Sequence, residues 1–335
     1  MKKEAMLYKS RENGIVHCHL CSHHCRIEPS RFGECGVRQN IEGRLYTHAY
    51  GEVIAWNVDP IEKKPLYHFL PGSRSYSVAT MGCNFHCGFC QNWQISQISQ
   101  KNGIKDMGHH LTPKDIVEEA LKHNCASIAY TYTEPTIFFE YAYETSKLAR
   151  NAGLKNVFVT NGYMTYDALD MIAPYLDGVN VDLKGWDEDY YARLCQAHLK
   201  PVLNSIKYIK KLGIWLEITT LIVPDENDSE SDLEGIAKFI AETGVEIPWH
   251  ISRFHPDYQL GLHQATPLAT LEKAKKIGRA QGLRYIYLGN IPTDTTTYCP
   301  QCGKTLVKRS PEGIRINIKN RNCPACAFEI QGVWG

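Results

Sequence analysis

The sequence predicts an α/β protein built on a partial (β/α)6 TIM-like barrel of parallel strands, with a cysteine-rich segment on each side. Two observations predict this fold. Between residues 76 and 290, short apolar segments alternate with segments of helical periodicity, which indicates repeated βα units around a parallel sheet. Eight of the thirteen cysteines lie outside that region, in one cluster of four on each side of it. We therefore expect three parts, with boundaries at residues 1–75, 76–290 and 291–335.

Composition indicates an ordinary globular protein. Of 335 residues 43% are hydrophobic, which is enough for a sizeable core. The net charge is +1 with interleaved signs, so neither a general nucleic-acid surface nor a membrane surface is expected. Without a visible signal peptide or long apolar run, we expect a cytoplasmic protein and no membrane partner. The thirteen cysteines then indicate metal sites in a reducing compartment rather than disulfides.

The first segment contains four cysteines with intervening spacings of two, three and nine residues: Cys18, Cys21, Cys25 and Cys35. Four cysteines close a tetrahedral site, which predicts a structural metal, or an electron relay if the site holds iron and sulfide. The sequence leaves zinc and an iron–sulfur cluster open. Prolines and charges over residues 59–72 predict an ordered linker that lines one mouth of the following site.

The barrel strands follow from short apolar segments. Six strands are predicted at residues 76–81, 126–132, 156–160, 178–183, 214–223 and 249–254. One further strand is predicted at residues 284–288. One helix begins after Thr112, a favourable N-cap, and Ala120 and Leu121 belong to its predicted apolar face. The other helices are predicted near residues 136–153, 166–175, 187–196, 202–212, 233–242 and 268–281.

Three further cysteines lie in the loop after the first barrel strand, where barrels of this kind place their chemistry: Cys83, Cys87 and Cys90. Three thiolates so close can hold three irons of a cubane cluster and leave the fourth iron open. A zinc site would normally add a fourth ligand, and His86 is poorly placed beside Cys87. The spacing therefore predicts a [4Fe-4S] cluster with an open coordination position.

The last segment contains two Cys-x2-Cys pairs separated by twenty residues: Cys299, Cys302, Cys323 and Cys326. This pattern predicts a zinc ribbon, with hairpin strands near residues 305–308 and 314–318 between the pairs. The site is closed, so its expected role is folding stability. A rubredoxin-like iron site is the alternative.

The Cys-x3-Cys-x2-Cys loop within a run of βα units resembles the radical S-adenosylmethionine (SAM) superfamily, and within it the activating enzymes of pyruvate formate-lyase. The sequence resembles the AmmeMemoRadiSam system radical SAM enzymes more closely. They share the N-terminal cysteine motif, the Asp-Pro-Ile-Glu-Lys-Lys-Pro-Leu stretch at 59–66, the Tyr-Thr-Glu-Pro-Thr stretch at 132–136 and the C-terminal ribbon. The resemblance covers nearly the whole chain.

The resemblance implies that the open iron binds SAM through its methionine amino and carboxylate groups. One electron from a flavodoxin- or ferredoxin-type donor then splits SAM into methionine and a 5′-deoxyadenosyl radical. The radical abstracts hydrogen from an unidentified substrate, which we expect to be a macromolecule, either a protein or an RNA. Such chemistry indicates a low-oxygen setting.

The resemblance also assigns six residues at strand ends to SAM binding: Thr133, Glu134, Asn161, Asp182, Lys184 and His255. In this chain the stretch from Thr131 to Pro135 takes the place of the family's Gly-Gly-Glu motif, with threonine and tyrosine in place of the two glycines. Simpler roles remain open, since Glu134 would also cap the next helix, Asp182 and Lys184 would form an ion pair, and His255 would sit in the core.

Other functions remain open. One alternative is an activating enzyme of a glycyl-radical enzyme, although Val159 stands where those activases carry an aspartate of a monovalent-cation site. Two others are a non-enzymatic metal or electron-transfer protein and a zinc-ribbon nucleic-acid binder. The isolated Cys125 and Cys195 are expected to be inert thiols.

Overall fold

The structure of the chain, a computed structural model, describes residues 2–97 and 108–335. Its strands, numbered in chain order, are β1 (Lys3–Glu4), β2 (Tyr8–Ser10), β3 (Val16–Cys18), β4 (Arg26–Ile27), β5 (Arg38–Ile41), β6 (Arg44–Thr47), β7 (Glu52–Pro60), β8 (Arg74–Thr80), β9 (His109–His110), β10 (Ser127–Tyr130), β11 (Lys155–Thr160), β12 (Gly178–Asp182), β13 (Trp215–Ile222), β14 (Trp249–Arg253), β15 (Ile286–Gly289), β16 (Thr297–Tyr298), β17 (Thr305–Ser310) and β18 (Gly313–Ile316). Its α-helices are Trp93–Ser96, Pro113–Lys122, Phe139–Asn151, Tyr166–Ile172, Glu188–Tyr190, Leu199–Lys211, Glu230–Thr243 and Leu268–Ala280.

A large, mostly parallel sheet forms the centre of the molecule. Among the described residues it has nine strands in the order β15-β14-β13-β12-β11-β10-β8-β7-β9. The strands β8 and β10 to β15 pair in parallel and follow one another in chain order, whereas β7 and β9 add antiparallel pairs at one edge. The predicted α/β fold with a parallel sheet is confirmed, and this order is consistent with a partial barrel.

The helix Pro113–Lys122 shows how local sequence sets an element. The backbone amide of Asp115 donates to Thr112 Oγ1 at 3.2 Å, and the Thr112 amide donates to the Asp115 carboxylate at 2.7 Å, which satisfies two amides at the helix start. Ala120 is buried, but Leu121 is 46% exposed. Placing Leu121 on the apolar face was wrong, because consecutive helical residues point about 100° apart.

The segment after β7 packs against the parallel strands. Phe69 lies over Gly178, the first residue of β12, where a Cβ atom would stand 2.9 Å from the Phe69 ring. The buried Glu217 of β13 accepts the backbone amides of Tyr67 at 3.0 Å and His68 at 2.8 Å. The predicted linker 59–72 therefore starts inside β7 and continues as a packed part of the core.

The two ends of the chain add small antiparallel sheets. At the N-terminus these are β1-β6-β5 and β2-β3-β4, and at the C-terminus β16-β17-β18. The predicted ribbon strands correspond to β17 and β18. The C-terminal tail returns to the linker, where the Leu70 amide donates to the Val333 carbonyl at 2.7 Å. In the described part of the chain, no helix is long and apolar enough to cross a membrane.

We predict that Glu217→Gln destabilises the protein. Glu217 is fully buried, is hydrogen-bonded to His250 Nε2 at 2.6 Å, and accepts the backbone amides of Tyr67 and His68. Replacing one carboxylate oxygen by an NH2 group leaves buried donors unpaired, at a cost of about 2–4 kcal/mol. Thermal unfolding followed by circular dichroism should show a midpoint lower by roughly 5–10 °C.

The matched control is Glu230→Gln, because the Glu230 side chain is 66% exposed and forms an ion pair with Lys273 at 3.0 Å on the surface. Its midpoint should stay within about 2 °C of the parent. Equal shifts in the two variants would contradict the role given to Glu217.

Candidate active site

A cavity of about 310 Å³ opens at the carboxyl-terminal end of the parallel strands. It is lined by the loop after β8 and by residues that end or follow β10, β11 and β12. Eight residues singled out from the sequence line it: Cys83, Cys87, Cys90, Thr133, Glu134, Asn161, Asp182 and Lys184. The fold therefore brings these residues to one place although they are distant in sequence.

Backbone hydrogen bonds hold the cysteine loop against the turn Tyr191–Cys195. The His86 amide donates to the Cys195 carbonyl at 3.0 Å, and the Gly88 amide donates to the Leu194 carbonyl at 2.9 Å. This turn is π-helical, whereas the sequence predicted an ordinary helix over 187–196. Carbonyls at the end of a helical turn lack donors within it, so they are available to fix the loop.

The three loop thiols have separate neighbours. Cys90 Sγ lies 3.2 Å from the Ser96 hydroxyl, and the Phe85 amide donates to Cys83 Sγ at 3.3 Å. Burial raises the pKa of Cys83 and of Cys90. Thiols that stand apart around a cavity suit separate irons of one cluster, and metal binding would supply the charge that stabilises their thiolates.

Cys195 was expected to be an inert thiol, but it lies against the cysteine loop. Its side chain is fully buried, and its thiol donates a hydrogen bond to Cys87. That hydrogen bond lowers the pKa of Cys87 against the effect of burial, with a further contribution from Lys184. Nothing in the sequence indicated this contact, because Cys195 is far from Cys87 along the chain and tertiary packing alone brings the two together.

Glu134 joins the ends of β10 and β11. One carboxylate oxygen accepts the Thr136 amide at 3.1 Å and the Thr160 hydroxyl at 2.7 Å, and the other accepts the Asn161 amide at 2.7 Å. Burial raises its pKa although these donors oppose the shift. Glu134 thus caps the helical turn Pro135–Phe138, as its simpler role predicted, while it lines the cavity.

Tyr132 adopts a left-handed backbone conformation with φ of 63°. Glycine favours this region, and the resemblance places a glycine of the Gly-Gly-Glu motif here. The Tyr132 hydroxyl donates to Asp59, which also accepts Lys64 Nζ at 2.6 Å, and the Lys64 ammonium lies 4.4 Å from the centre of the Tyr132 ring. These contacts hold a conformation that costs a non-glycine residue about 1–2 kcal/mol.

The contacts of this network were not predicted from the sequence. The linker was expected to line one mouth of the site, and Lys63 and Lys64 do line the cavity. The pairing of Asp59 with Lys64 and Tyr132 was not foreseen, because it joins three elements across the sheet. The sequence signal for the pair is the short separation of Asp59 and Lys64, which are five residues apart.

Asp182 and Lys184 form an ion pair inside the cavity. Lys184 Nζ lies 2.9 Å from Asp182 Oδ2, and the two side chains are 14% and 38% exposed. Although burial opposes it, Asp182 and Cys87 hold the pKa of Lys184 well above its usual value. The pair gives the cavity one charge of each sign.

Asn161 links the end of β11 to the cysteine loop. Its Nδ2 atom donates to Asn84 Oδ1 at 2.8 Å and lies 4.0 Å from Cys83 Sγ. Thr133, in contrast, donates its hydroxyl to the Thr80 carbonyl at 2.8 Å. Asn161 therefore orients the loop, and Thr133 ties the end of β10 to β8.

His255 does not join the other residues singled out from the sequence. It is exposed and is not among the residues that line the cavity. The chain leaves the sheet after β14, and Phe254 turns into the core with its amide bonded to Thr266 Oγ1 at 2.9 Å. His255 lies beyond Arg253, the last residue of β14, and its side chain is exposed, so the core position considered for it is wrong; its SAM contact stays a prediction.

The four ribbon cysteines lie together. Their Sγ atoms all fall within 4.8 Å of one another, with Cys299 3.6 Å from Cys326 and Cys302 3.7 Å from Cys323. The four N-terminal cysteines line a separate cavity with Thr136 and Ile137. The ribbon cysteines therefore form one compact group, whereas the N-terminal cysteines share a cavity, and a metal bound there stays a prediction.

The chain is similar in sequence to known proteins. A family model described as "Radical SAM superfamily" matches residues 77–240. The chain is 44% identical over 334 residues to "Uncharacterized protein MJ0808" of Methanocaldococcus jannaschii, covering 98% of each chain. It is 22% identical over 221 residues to the pyruvate formate-lyase-activating enzyme of Clostridium pasteurianum, covering 62% of this chain and 88% of that one.

Solved structures share the fold. A radical SAM methyltransferase from Sphaerobacter thermophilus superposes with a TM-score of 0.51 at 16% identity, covering 66% of this chain and 67% of that chain. At this identity the likeness concerns the architecture of the sheet and its helices alone.

We predict that Cys195→Ala lowers the reduction potential of an iron–sulfur cluster bound by the loop. Losing one hydrogen bond to the Cys87 sulfur removes about 1 kcal/mol of preference for the reduced, more negative cluster. This corresponds to roughly 40 mV for a one-electron couple. Redox titration followed by electron paramagnetic resonance (EPR) measures the shift.

Cys195→Ser is the matched control, since its hydroxyl keeps a donor at the same position. Its potential should stay nearer the parent value than that of the alanine variant. A potential unchanged in both variants would show that the Cys195 thiol does not act on the cluster.

Proposed function

Because the chain is an enzyme of the radical SAM superfamily, we propose that it cleaves SAM reductively and abstracts hydrogen from a macromolecular substrate. The observation that carries this proposal is the convergence of three loop thiols with Asn161, Asp182 and Lys184 on one cavity. The cavity volume of about 310 Å³ is within the usual range of small-molecule sites, roughly 300–1,000 Å³.

The donor set fits an open cluster. Cys83, Cys87 and Cys90 would hold three irons of a [4Fe-4S] cluster, and the described lining of the cavity adds no fourth cysteine. When bound, the cluster and SAM supply a 5′-deoxyadenosyl radical. The amides of His86 and Gly88 fix the loop so that the three thiols keep their positions.

The charged pair would orient the methionine part of SAM. Lys184 would face its carboxylate and Asp182 its amino group, because each is the opposite charge within the same cavity. Tyr132 holds the backbone at the end of β10 in the conformation that the family's glycine would adopt. Thr133 and Glu134 would act through that backbone, since protein groups already occupy their side-chain oxygens.

Apolar walls would shield the reaction. Phe85 and Phe89 are buried on the cysteine loop, and Leu221 of β13 lines the same cavity. Excluding water strengthens the ionic contacts of Lys184 and Asp182 and removes stray hydrogen donors from the radical.

The activating enzyme among the relatives supports a protein as the substrate. We propose a flavodoxin- or ferredoxin-type protein as the electron donor. A glycyl-radical partner enzyme is the second candidate, because another relative, 28% identical over 223 residues, is named as a glycyl-radical enzyme activating enzyme. Val159 lines the cavity with an alkyl side chain, so this chain lacks an acidic ligand for a monovalent cation at that position.

The C-terminal segment would hold zinc. A tetrahedral site with Zn–S bonds of about 2.3 Å places its sulfurs about 3.8 Å apart, close to the two measured pairs of 3.6 Å and 3.7 Å. The site has no open position, so zinc would stabilise the ribbon.

We propose that the chain has three functional parts, at residues 1–75, 76–290 and 291–335.

The test is anaerobic incubation of the reconstituted enzyme with SAM and dithionite. We expect 5′-deoxyadenosine and methionine above background, measured by liquid chromatography. Cys90→Ala should reduce both products to background, because it removes one of three cluster ligands.

Cys125→Ala is the matched control, since Cys125 is a buried cysteine outside the cavity. It should retain activity within about twofold of the parent enzyme. Product formation that is equal in the Cys90 and Cys125 variants would refute the proposal.

A further inference from the structure

The four N-terminal cysteines surround a cavity of their own. Cys18 and Cys35 are buried, and Cys21 and Cys25 are half-buried. The walls of the cavity are completed by Leu20, Ile27, Gly33, Glu34, Arg38, Thr136 and Ile137.

The spacing of the cysteine sulfurs differs between this site and the C-terminal ribbon. The ribbon thiols converge within 4.8 Å of one another, as one tetrahedral ion requires. In the parts of the chain that the structure describes, no three N-terminal thiols meet that limit, and neither do the three thiols of the active-site loop. The N-terminal sulfurs are therefore spaced more widely than those of the ribbon, as the sulfurs of the active-site loop also are.

We propose that Cys18, Cys21, Cys25 and Cys35 hold an iron–sulfur cluster. A cluster binds each thiolate to a different iron, so its ligands stand apart around a central volume. A single zinc ion would draw the four sulfurs together. With four protein ligands no iron is left open, which makes this cluster an electron carrier.

Arg38 supplies a second observation at this site. Its side chain is buried, its Nη1 atom donates to Cys18 Sγ at 3.3 Å, and its Nη2 atom pairs with Glu140. Its Nε atom is buried without a hydrogen-bond partner among the described residues. A cluster offers sulfide acceptors beside the cysteine sulfurs, whereas a zinc ion offers none, so a cluster accounts for this unpaired donor.

The N-terminal segment is docked directly on the active-site loops. The Ser22 amide donates to the Tyr163 carbonyl at 2.9 Å, and His23 Nε2 bonds the Asn84 carbonyl at 2.7 Å. Asn84 precedes Phe85 on the cysteine loop and bonds Asn161 at 2.8 Å. A short series of contacts thus joins the two sites.

Neighbouring residues of one segment line the two cavities. Thr136 and Ile137 line the N-terminal cavity, and Glu134, two residues earlier, lines the active-site cavity. This position suits an electron relay, a role that rests on the proposed function. An external iron–sulfur or flavin protein would reduce the N-terminal cluster by one electron, and that electron would pass to the active-site cluster without atom transfer.

The test is metal and sulfide analysis of the full-length protein after anaerobic reconstitution. We expect roughly eight irons, eight sulfides and one zinc per chain, counting two cubane clusters and one ribbon ion. A content of roughly four irons, four sulfides and two zinc ions would overturn the proposal. Because this measurement uses the unaltered protein, it decides the question even if variants fail to fold.

The triple variant Cys83→Ala, Cys87→Ala, Cys90→Ala isolates the N-terminal site. It should keep about half of the parent's iron and sulfide and a cluster EPR signal on reduction. A second variant, Cys18→Ser with Cys21→Ser, should also lose about half, and the combination should lose nearly all. Zinc without iron or sulfide in the triple variant would refute the N-terminal cluster.

The outcomes also separate this inference from the proposed function. If the triple variant retains its cluster but the parent enzyme forms no 5′-deoxyadenosine, the proposed function fails and the N-terminal cluster stands. If the parent enzyme cleaves SAM and the triple variant holds only zinc, the inference fails alone.

Discussion

The anchoring of the cysteine loop is the constraint on which the rest of the site depends. Three thiols can serve one cluster only if their backbone is fixed, and the carbonyls of Leu194 and Cys195 fix it through the amides of Gly88 and His86. The π-helical turn that presents these carbonyls also places the Cys195 thiol against Cys87. Asn161 and Asn84 tie the same loop to the end of β11. The parallel sheet then carries Asp182 and Lys184 to the same cavity, where Lys184 lies close enough to lower the pKa of Cys87.

Buried charges connect this site to the remainder of the chain. Asp59 accepts Lys64, Ser77 and Tyr132, and these contacts hold the peptide at Tyr132 in a left-handed conformation beside the cysteine loop. Further along the linker, Glu217 binds the amides of Tyr67 and His68. One segment therefore supports the site through Asp59 and the core through Glu217. Both carboxylates are buried and accept several hydrogen bonds, so replacing Asp59 or Glu217 would leave buried donors without acceptors.

Local patterns in the sequence were sufficient for the fold and for most of the site. Apolar segments and caps such as Thr112 predicted the parallel strands and helices, and because strand ends meet at one edge, the cysteine loop, Asn161 and Asp182 were expected near one another. Contacts that depend on tertiary packing were not predictable. Cys195 reaches Cys87 only through the π-helical turn, and Asp59 meets Tyr132 only across the sheet. His255 lies beyond the end of β14 and is exposed, a position that strand alternation alone did not decide.

In our proposal the loop thiols hold a cluster whose open iron binds SAM in this cavity. Electron–nuclear double resonance of the reduced protein, with SAM labelled at the methionine amino nitrogen and carboxylate oxygen, tests this binding. We expect hyperfine coupling from both labelled atoms to the cluster, and its loss in the triple variant at Cys83, Cys87 and Cys90. A reduced active-site cluster that shows no coupling to either atom at saturating SAM would contradict it.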